Sequence, residues 1–283
     1  KESRLFIEIE FPYGSPNKYA ADFKNEAAHT SRIVDCSKNS ISILRQLDED
    51  SYFFNAAFSE NCTIKQYGKH LFTLSPLSGD KIELVSSFTQ CIIREPLPAY
   101  ANVEQESIKY WESFWSNGGI VELAESKDPR ALELERRIIL SQYLMAIQCA
   151  GSLPPQETGL TCNSWYGKFH LEMHWWHAAH FPLWGRSYLL ERSMWWYHYI
   201  LDRSKAYAEY QGYTGARWPK MCSKDNLNSP SPIGVMLIWQ QPHPIMFAEL
   251  CYRANPTKET LLKYSEIVFE SAEFMASYAV YDK

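Results

Sequence analysis

The chain has 283 residues, of which 46% are apolar and 22% are charged, and its formal net charge is −5 at pH 7. This composition is typical of an ordinary globular protein, and the length suffices for two domains. The net negative charge disfavours a broad nucleic-acid surface, which needs a basic face. The sequence contains no run of about 18 apolar residues, so no membrane-spanning helix is predicted.

The first part of the chain, residues 1–98, has the sequence pattern of β-strands. The segment RLFIEIEF alternates apolar and polar residues at period two, which is typical of a strand with one buried face. Further strand-like runs are separated by short turns such as YGSPN and SGDK, a pattern that predicts an antiparallel β-sandwich or part of one. These runs are SRIVDCS, ISILRQL, SYFFNAAF, HLFTLSPL and KIELVSSFTQCIIRE.

Residues 99–126 are predicted to form a helical linker. The segment REPLPAYA contains two prolines that interrupt the last strand. After Glu104 the apolar residues recur with a helical period, and the NGG triplet that follows is typical of a helix end. The linker therefore separates the predicted strands from a predicted helical domain over residues 127–283.

The helical domain is predicted to contain long helices joined by alternating short and long loops. Asp128 and Pro129 are typical of a helix start, and Ser187 and Thr257 are candidate caps for two later helices. The long loops are aromatic and polar, as expected if antiparallel helices present functional loops at one end. The predicted helices cover residues 129–150, 171–183, 187–210, 243–254 and 257–280.

The stretch SWYGKFHLEMHWWHAAHFPLW, residues 164–184, is the richest in chemical groups. It contains four of the ten tryptophans, four histidines and one acid, Glu172, that has no obvious basic partner nearby in the sequence. Aromatic rings supply flat apolar walls for sugar rings, while Lys, His and Glu side chains hydrogen-bond hydroxyl groups. We predict the rim of a ligand pocket formed by Trp165, Lys168, His170 and Glu172. The alternative is a packed core helix whose histidines cap backbone groups.

The histidines of this stretch also permit a metal hypothesis. His170, His174 and His177 would share one face of a helix, a spacing that can hold zinc. However, the HExxH order of zinc enzymes is absent, and Glu172 would point to the opposite side of the helix. We therefore predict no metal and no cofactor.

Two later loops supply further candidate ligand-binding residues. The loop GYTGARWPKM, residues 212–221, carries cationic side chains that can hold hydroxyl groups, a carboxylate or a phosphate. The loop IWQQPHPIMFAEL, residues 238–250, carries adjacent amides that suit neutral, hydroxyl-rich ligands. In each loop the alternative is a structural role, in which the same side chains bond to the backbone. The candidates are Arg217, Trp218, Lys220, Trp239, Gln240, Gln241 and His243.

Two acids of this region are candidates for proton chemistry. Glycoside hydrolysis needs two carboxyl groups across the scissile bond, and within the chain Glu172 is the better candidate and Glu157 the second. No GxSxG, P-loop or GxGxxG motif is present, so serine-hydrolase and nucleotide-dependent chemistry lack support. The seven cysteines include no CxxC pair, which favours buried free thiols over disulfides or a zinc framework.

The order of these parts resembles that of the inverting (α/α)6-barrel glycosidases and sugar phosphorylases, the six-hairpin glycosidase superfamily. The resemblance is carried by the ETGL and WYGKFHLEM segments and by the later GARWP loop. In the maltose, trehalose and kojibiose phosphorylase family, an FWDTEM-type loop leads into an inner barrel helix and a GARFPW-like loop follows. The resemblance implies the end of an N-terminal β-supersandwich, a helical linker and the first part of an (α/α)6 toroid.

The same resemblance implies an inverting glycoside hydrolase that acts on an oligosaccharide or glycoside. A disaccharide phosphorylase and a non-catalytic carbohydrate-binding protein are the alternatives. Two departures matter. The aspartate that precedes T-E in the family is His170 here. The general acid of the family, a glutamate well past the GARFPW loop, would fall beyond Lys283, so we expect a fragment without it.

The resemblance also implies a periplasmic or secreted location. The expected partner is an oligosaccharide or glycoside, with no nucleic acid and no membrane. Because the implied barrel would be open, apolar faces of the helices over residues 187–210 and 257–280 would be bare. We therefore expect a homodimer or poor solubility.

Overall fold

The computed structural model describes residues 5–15, 17, 20–229, 231 and 233–280. The chain divides into two compact units, Lys1–Ser113 and Phe114–Lys283. The boundary between them falls inside helix α1 (Tyr100–Ser116). The first unit is built mainly of β-strands and also contains most of α1, and the second is built mainly of helices, as predicted. The finer division at residues 98 and 126 stays a prediction.

The strand unit contains two main antiparallel sheets. One has four strands in the order β4-β5-β6-β9, the other has three strands in the order β1-β8-β7, and β2 pairs with β3. The strands are β1 (Ile7–Glu10), β2 (Tyr13–Gly14), β3 (Ala21–Asp22), β4 (His29–Cys36), β5 (Ser40–Leu47), β6 (Asp50–Phe58), β7 (Cys62–Gln66), β8 (Leu71–Pro76) and β9 (Leu84–Thr89).

The core of this unit lies between the two sheets. Ile41 and Ile43 of β5 and Phe54 of β6 contribute from one sheet, and Phe72 and Leu74 of β8 contribute from the other. Buried residues alternate along β5 and β8, so the period of two read from the sequence marks the buried faces. A β-sandwich is therefore observed for the first unit.

A buried arginine of β5 bonds to the neighbouring strand β4 and to the segment that follows β1. Arg45 of β5 is 0% exposed, and its guanidinium donates to the carbonyls of Thr30 at 2.7 Å and Pro12 at 3.2 Å and to Nδ1 of His29 at 2.6 Å. The ring of His70 stacks on that of His29 at 3.7 Å. Burial lowers the pKa of His29 to about 4, and the nearby His70 and Arg45 act in the same direction. The cluster is thus built around a neutral His29 that accepts from a permanent cation.

The helical unit contains the predicted helices, two of which are interrupted. The predicted helix over residues 171–183 divides at Ala179, and the one over residues 187–210 divides at Ile200. The elements are α2 (Ala131–Cys149), β10 (Phe169–His170), α3 (Leu171–Ala178), α4 (His180–Leu183), α5 (Ser187–Tyr199), α6 (Leu201–Tyr210), β11 (Met221–Cys222), α7 (His243–Ala254) and α8 (Lys258–Tyr278). Within the described part of the chain, no helix is long and apolar enough to span a membrane.

Arg186 fixes the start of α5 against the beginning of the helical unit. It is 1% exposed, donates to Gln142 Oε1 at 2.8 Å and to the Phe114 carbonyl at 2.9 Å, and lies 4.1 Å from the Phe114 ring centroid.

Several apolar side chains of the helical unit are exposed to solvent. Among them are Leu262 and Phe269 of α8, which are 65% and 71% exposed. The homodimer stays a prediction, and these exposed apolar side chains are the surface that it would bury.

The predicted helix caps have mixed outcomes. Thr257 caps α8 as expected, because its Oγ1 accepts a hydrogen bond from the Thr260 amide at 3.2 Å. The prediction that Ser187 caps α5 was wrong, since Arg186 occupies the N-cap position and makes no side-chain cap hydrogen bond. Asp128 as the N-cap of α2 was also wrong, since Arg130 occupies that position and α2 begins at Ala131. Asp128 instead accepts from the Arg130 amide at 2.9 Å, one turn ahead of α2.

Replacing Thr257 with alanine is expected to lower the free energy of unfolding by about 1 kcal/mol, because α8 loses its cap acceptor. Thr257→Ser keeps the hydroxyl and serves as the matched control, with a loss below about 0.5 kcal/mol. Urea unfolding followed by far-ultraviolet circular dichroism measures both values. Equal losses in the two variants would contradict the capping role.

Candidate functional site

A small three-segment sheet positions the candidate site. Phe169 pairs with Cys222 and His170 with Met221 in the antiparallel β10–β11 ladder, and Gln156 bridges to Phe169 on the other side. The Leu171 amide donates to the Lys220 carbonyl at 2.8 Å. This pairing brings the loop over residues 152–170 against the GARWP loop, two regions that the sequence suggested separately.

His170 occupies the point where β10 becomes α3. Its Nδ1 accepts a hydrogen bond from the Met173 amide at 3.2 Å, so the ring caps the helix. The side chain is buried, and burial lowers its pKa to about 4, although the charge of Glu172 acts in the opposite direction. The ring is therefore neutral at pH 7, and because Nδ1 accepts, its proton resides on Nε2.

The ion pair between Glu172 and Lys220 lies between two indole rings. Lys220 Nζ is 2.9 Å from Glu172 Oε2 and 5.6 Å from the ring centroids of both Trp165 and Trp239. The expectation that Glu172 has no basic partner was wrong. The strand pairing of β11 with β10 returns Lys220 to the start of α3, a proximity that spacing along the chain does not reveal.

Trp165 is presented by a left-handed turn. Trp165, Tyr166 and Gly167 have φ values of 47°, 68° and 62°, and the Gly167 amide donates to the Ser164 carbonyl at 3.1 Å. For the two non-glycine residues this conformation costs roughly 1–2 kcal/mol each. Strain of this kind concentrates at functional sites, where the surrounding structure holds it in place.

Arg217 and Trp218 are buried and do not line an open surface. Arg217 is 2% exposed, and its guanidinium donates to the carbonyls of Val235 at 2.7 Å and Leu237 at 3.2 Å. Trp218 is 0% exposed and donates through its indole nitrogen to Ser271 Oγ at 2.8 Å. In this structure both side chains therefore have the structural role that was the alternative for this loop.

The two adjacent glutamines brace the same loop. Gln241 Oε1 accepts from the Trp218 amide at 2.9 Å, and Gln240 Nε2 donates to the Trp218 carbonyl at 2.8 Å. Each side chain is 1% exposed. Hydrogen bonds between these buried side-chain amides and backbone groups fix the path of the chain. These glutamines therefore position the loop that carries Lys220.

The remaining predicted residues, His243 and Lys168, lie near the start of α3 and the β10–β11 ladder. His243 bonds through Nδ1 to the Leu171 carbonyl at 3.0 Å, and its ring centroid is 5.8 Å from that of Trp175. Burial lowers the pKa of His243. Lys168 precedes β10. Burial raises the pKa of the Cys222 thiol, and the positive charge of Lys168 acts in the opposite direction. Lys168 is thus placed at the β10–β11 ladder.

The three histidines of the metal hypothesis serve separate partners. His174 is 0% exposed, and its ring nitrogens lie 3.0 Å from Tyr197 Oη and 3.2 Å from Ser193 Oγ. His177 Nε2 lies 2.9 Å from the Glu157 carbonyl. Among the described residues, no group of three or more His, Cys, Asp and Glu side chains is arranged to hold a metal ion.

Comparison with known proteins shows a similarity to a solved structure. No protein-family model matches the chain, and no curated protein matches it. A solved structure from the human microbiome, provisionally named a kojibiose phosphorylase, is similar with a TM-score of 0.58 and 12% sequence identity. The match covers 94% of this chain and 40% of that chain. At this identity the similarity shows a shared fold, a β-sandwich followed by a helical domain.

Proposed function

We propose that the chain belongs to a carbohydrate-active enzyme and that Trp165, Trp239, Glu172 and Lys220 form a sugar subsite. The observation that carries the proposal is the ion pair held between two indole rings, with Lys220 Nζ 5.6 Å from each ring centroid. Flat apolar walls with a few convergent polar groups are what a polar ring ligand requires. The fold similarity to a protein named as a sugar phosphorylase supports the same class.

The chemistry of the pair defines the ligand. The Glu172 carboxylate accepts hydrogen bonds and the Lys220 ammonium donates them, so together they can bind vicinal hydroxyl groups of a pyranose. Their charges cancel, which favours a neutral sugar over a charged one. The C–H faces of the ring would contact Trp165 and Trp239, the latter being 54% exposed.

The proposed reaction is inverting glycoside hydrolysis within an (α/α)6 toroid, by direct displacement with a general acid and a general base. Glu172, which already contacts an ammonium at 2.9 Å, is assigned to hydroxyl binding. Glu157 lies near His170, with Oε2 3.8 Å from His170 Nε2, and is proposed as the second carboxylate of the site.

A disaccharide phosphorylase is the second candidate, and the name of the structurally similar protein favours it. The two reactions are distinguished by incubating the longest form of the protein with kojibiose, maltose or trehalose, with and without inorganic phosphate. Glucose alone indicates hydrolysis, and a sugar phosphate that forms only with phosphate indicates phosphorolysis. Sugar binding with no product in either condition would leave a carbohydrate-binding protein.

Trp165→Ala and Trp239→Ala are each expected to weaken sugar binding by about 10-fold or more, because a stacking wall is lost. Titration calorimetry with glucose, maltose and kojibiose measures the affinity. Trp176→Ala is the matched control, since Trp176 of α3 is 65% exposed and outside the proposed subsite. No binding of any of these sugars to the parent protein, or equal losses in all three variants, would overturn the proposal.

A further inference from the structure

A shallow groove of about 420 Å³ lies on the outer face of the three-stranded sheet β1-β8-β7 in the strand unit. Ile7 and Ile9 of β1 pack against the sandwich core. Because side chains alternate along a strand, Phe6 and Glu8 lie on the opposite face of the sheet. The groove is formed by β8, by the start of β1 and by the turn between β7 and β8. Its lining includes Phe6, Glu8, Tyr67, Leu71, Thr73 and Ser75.

Two exposed aromatic rings lie at opposite corners of this groove. Phe6 is 55% exposed and Tyr67 is 68% exposed. Ile7, next to Phe6, pairs with Leu74, whereas the Tyr67 amide donates to the Leu71 carbonyl on the other side of β8. Two strand spacings across the sheet and four residues along β8 separate the two Cα atoms by roughly 16 Å. A single pyranose is too small to contact both rings, whereas a chain of several sugars can do so.

The middle of the outer face is polar. Glu8 of β1 and Lys65 of β7 both pair with Thr73 of β8, so the three side chains form a row across the sheet, with neighbouring strands about 4.8 Å apart. The row presents an acceptor, a hydroxyl and a donor in that order. Ser75 adds a second hydroxyl to the groove. Such a row can hydrogen-bond several hydroxyl groups of one ligand.

The turn that carries Tyr67 is fixed by hydrogen bonds. The amides of Tyr67 and Gly68 donate to the Leu71 carbonyl at 2.9 Å and 3.3 Å. Gln66 Nε2 donates to the carbonyls of Gly68 at 3.0 Å and Lys69 at 3.2 Å. A turn that is already ordered lowers the entropic cost of binding a ligand. The Tyr67 ring is thus presented at a defined end of the groove.

The arrangement of these groups favours a carbohydrate over a protein partner. Protein interfaces have a core depleted in charged residues and a polar rim, whereas here Glu8 and Lys65 lie in the middle and the aromatic rings lie at the ends. The row carries one charge of each sign, which does not favour nucleic acid or an anionic membrane. Flat aromatic rings pack against the apolar faces of pyranoses, and the polar row suits their hydroxyl groups.

We propose that the outer face of the β1-β8-β7 sheet binds a neutral oligosaccharide or polysaccharide chain. This site is separate from the sugar subsite at Trp165 and takes only its ligand class from the function proposed above. It provides binding without chemistry. Contacts with a long glycan at this face keep the protein on the chain through sugars other than those that react.

The test uses the full chain and neutral polysaccharides. Affinity gel electrophoresis with soluble starch, dextran, laminarin, xylan and galactomannan identifies the polysaccharide that retards the parent protein most. Titration calorimetry then compares the disaccharide and the heptasaccharide of that polysaccharide. The variants are Phe6→Ala, Tyr67→Ala and Tyr67→Phe, which keeps the ring. Phe88→Ala is the matched control, because Phe88 of β9 is 64% exposed but belongs to the other main sheet.

The heptasaccharide is expected to bind the parent protein about 10-fold more tightly than the disaccharide, because it alone can contact both rings. Phe6→Ala and Tyr67→Ala are each expected to weaken heptasaccharide binding by about 10-fold. Tyr67→Phe and Phe88→Ala are expected to stay within about 3-fold of the parent protein. The same variants in a Trp165→Ala background remove the contribution of the helical subsite. Both replaced rings are exposed, so the circular dichroism spectrum is expected to be unchanged.

The outcomes separate this site from the function proposed above. If no polysaccharide retards the parent protein, the outer-face site is wrong. If Trp165→Ala abolishes retardation and the Phe6→Ala/Tyr67→Ala double variant keeps it, the glycan binds at the helical subsite and the outer-face site is wrong. Loss in the double variant and retention in Trp165→Ala supports the outer-face site, whatever the helical subsite does. An equal loss in Phe88→Ala would overturn it. So would a double variant that changes only self-association in light scattering, because that result indicates a contact between protein molecules.

Discussion

Replacing Gly215 with alanine is expected to lower the free energy of unfolding of the helical unit by about 4 kcal/mol or more, or to prevent folding. A Cβ atom at this position would lie 2.3 Å from the Phe274 nitrogen and 2.4 Å from the Glu270 carbonyl oxygen. Both are backbone atoms within the C-terminal half of α8, so they cannot move aside as a flexible side chain would. Gly215 also has a φ of 74°, which adds left-handed strain for any other residue.

Gly212→Ala is the matched control for this prediction. Gly212 has a φ of 83°, but nothing lies within 4 Å of its added Cβ, so only the backbone strain of about 1 kcal/mol is expected. Urea unfolding followed by far-ultraviolet circular dichroism compares the two variants. Similar losses at both positions would show that backbone strain, and not the close approach of the GARWP loop to α8, is the reason that position 215 requires glycine.

Lowering the pH from 7 to 4 is expected to destabilise the helical unit by roughly 5 kcal/mol. Burial lowers the pKa of His174 to about 3 and that of His170 to about 4, and it also lowers the pKa values of His177 and His243. Above about pH 6.5 these rings are neutral in both the folded and the unfolded chain. Below it only the unfolded chain takes up protons, so stability falls until the pH reaches the folded-state values.

The acid loss is measured by urea unfolding at a series of pH values between 7 and 4. His174→Gln removes one of these rings but retains a donor and an acceptor for Tyr197 and Ser193. We expect this variant to be less stable at pH 7 and to lose stability less steeply as the pH falls. A pH dependence as steep as that of the parent protein would show that His174 does not contribute to it.

Most regular elements could be predicted from the sequence because their patterns are local. Alternation at period two marks the buried face of β5, and helical periodicity marks α2 and α8. The strand β7 was not predicted, since Lys65 and Gln66 make it half polar and its stability comes from pairing with β8. The breaks at Ala179 and Ile200 were also missed, because no proline or glycine marks either position.

The candidate site could be predicted only in part. The sequence suggested the aromatic and charged side chains of the site, but not that Lys220 lies against Glu172 or that Trp165 and Trp239 flank it. Arg217 and Gln240 were also predicted to bind ligand, but the structure buries both against backbone carbonyls. Residue type indicates what a side chain can bind, whereas burial and partners depend on long-range pairing.

The pairing of β10 with β11 has a consequence for how the protein folds. It joins residues 169–170 to residues 221–222, and α5 and α6 lie between these segments in the chain. Contacts between distant segments carry the entropic cost of closing a long loop, whereas helices form from neighbouring residues. We therefore expect the two sides of the candidate site to come together after the intervening helices have formed. A refolding chain is expected to regain most of its helical content before it can bind a ligand.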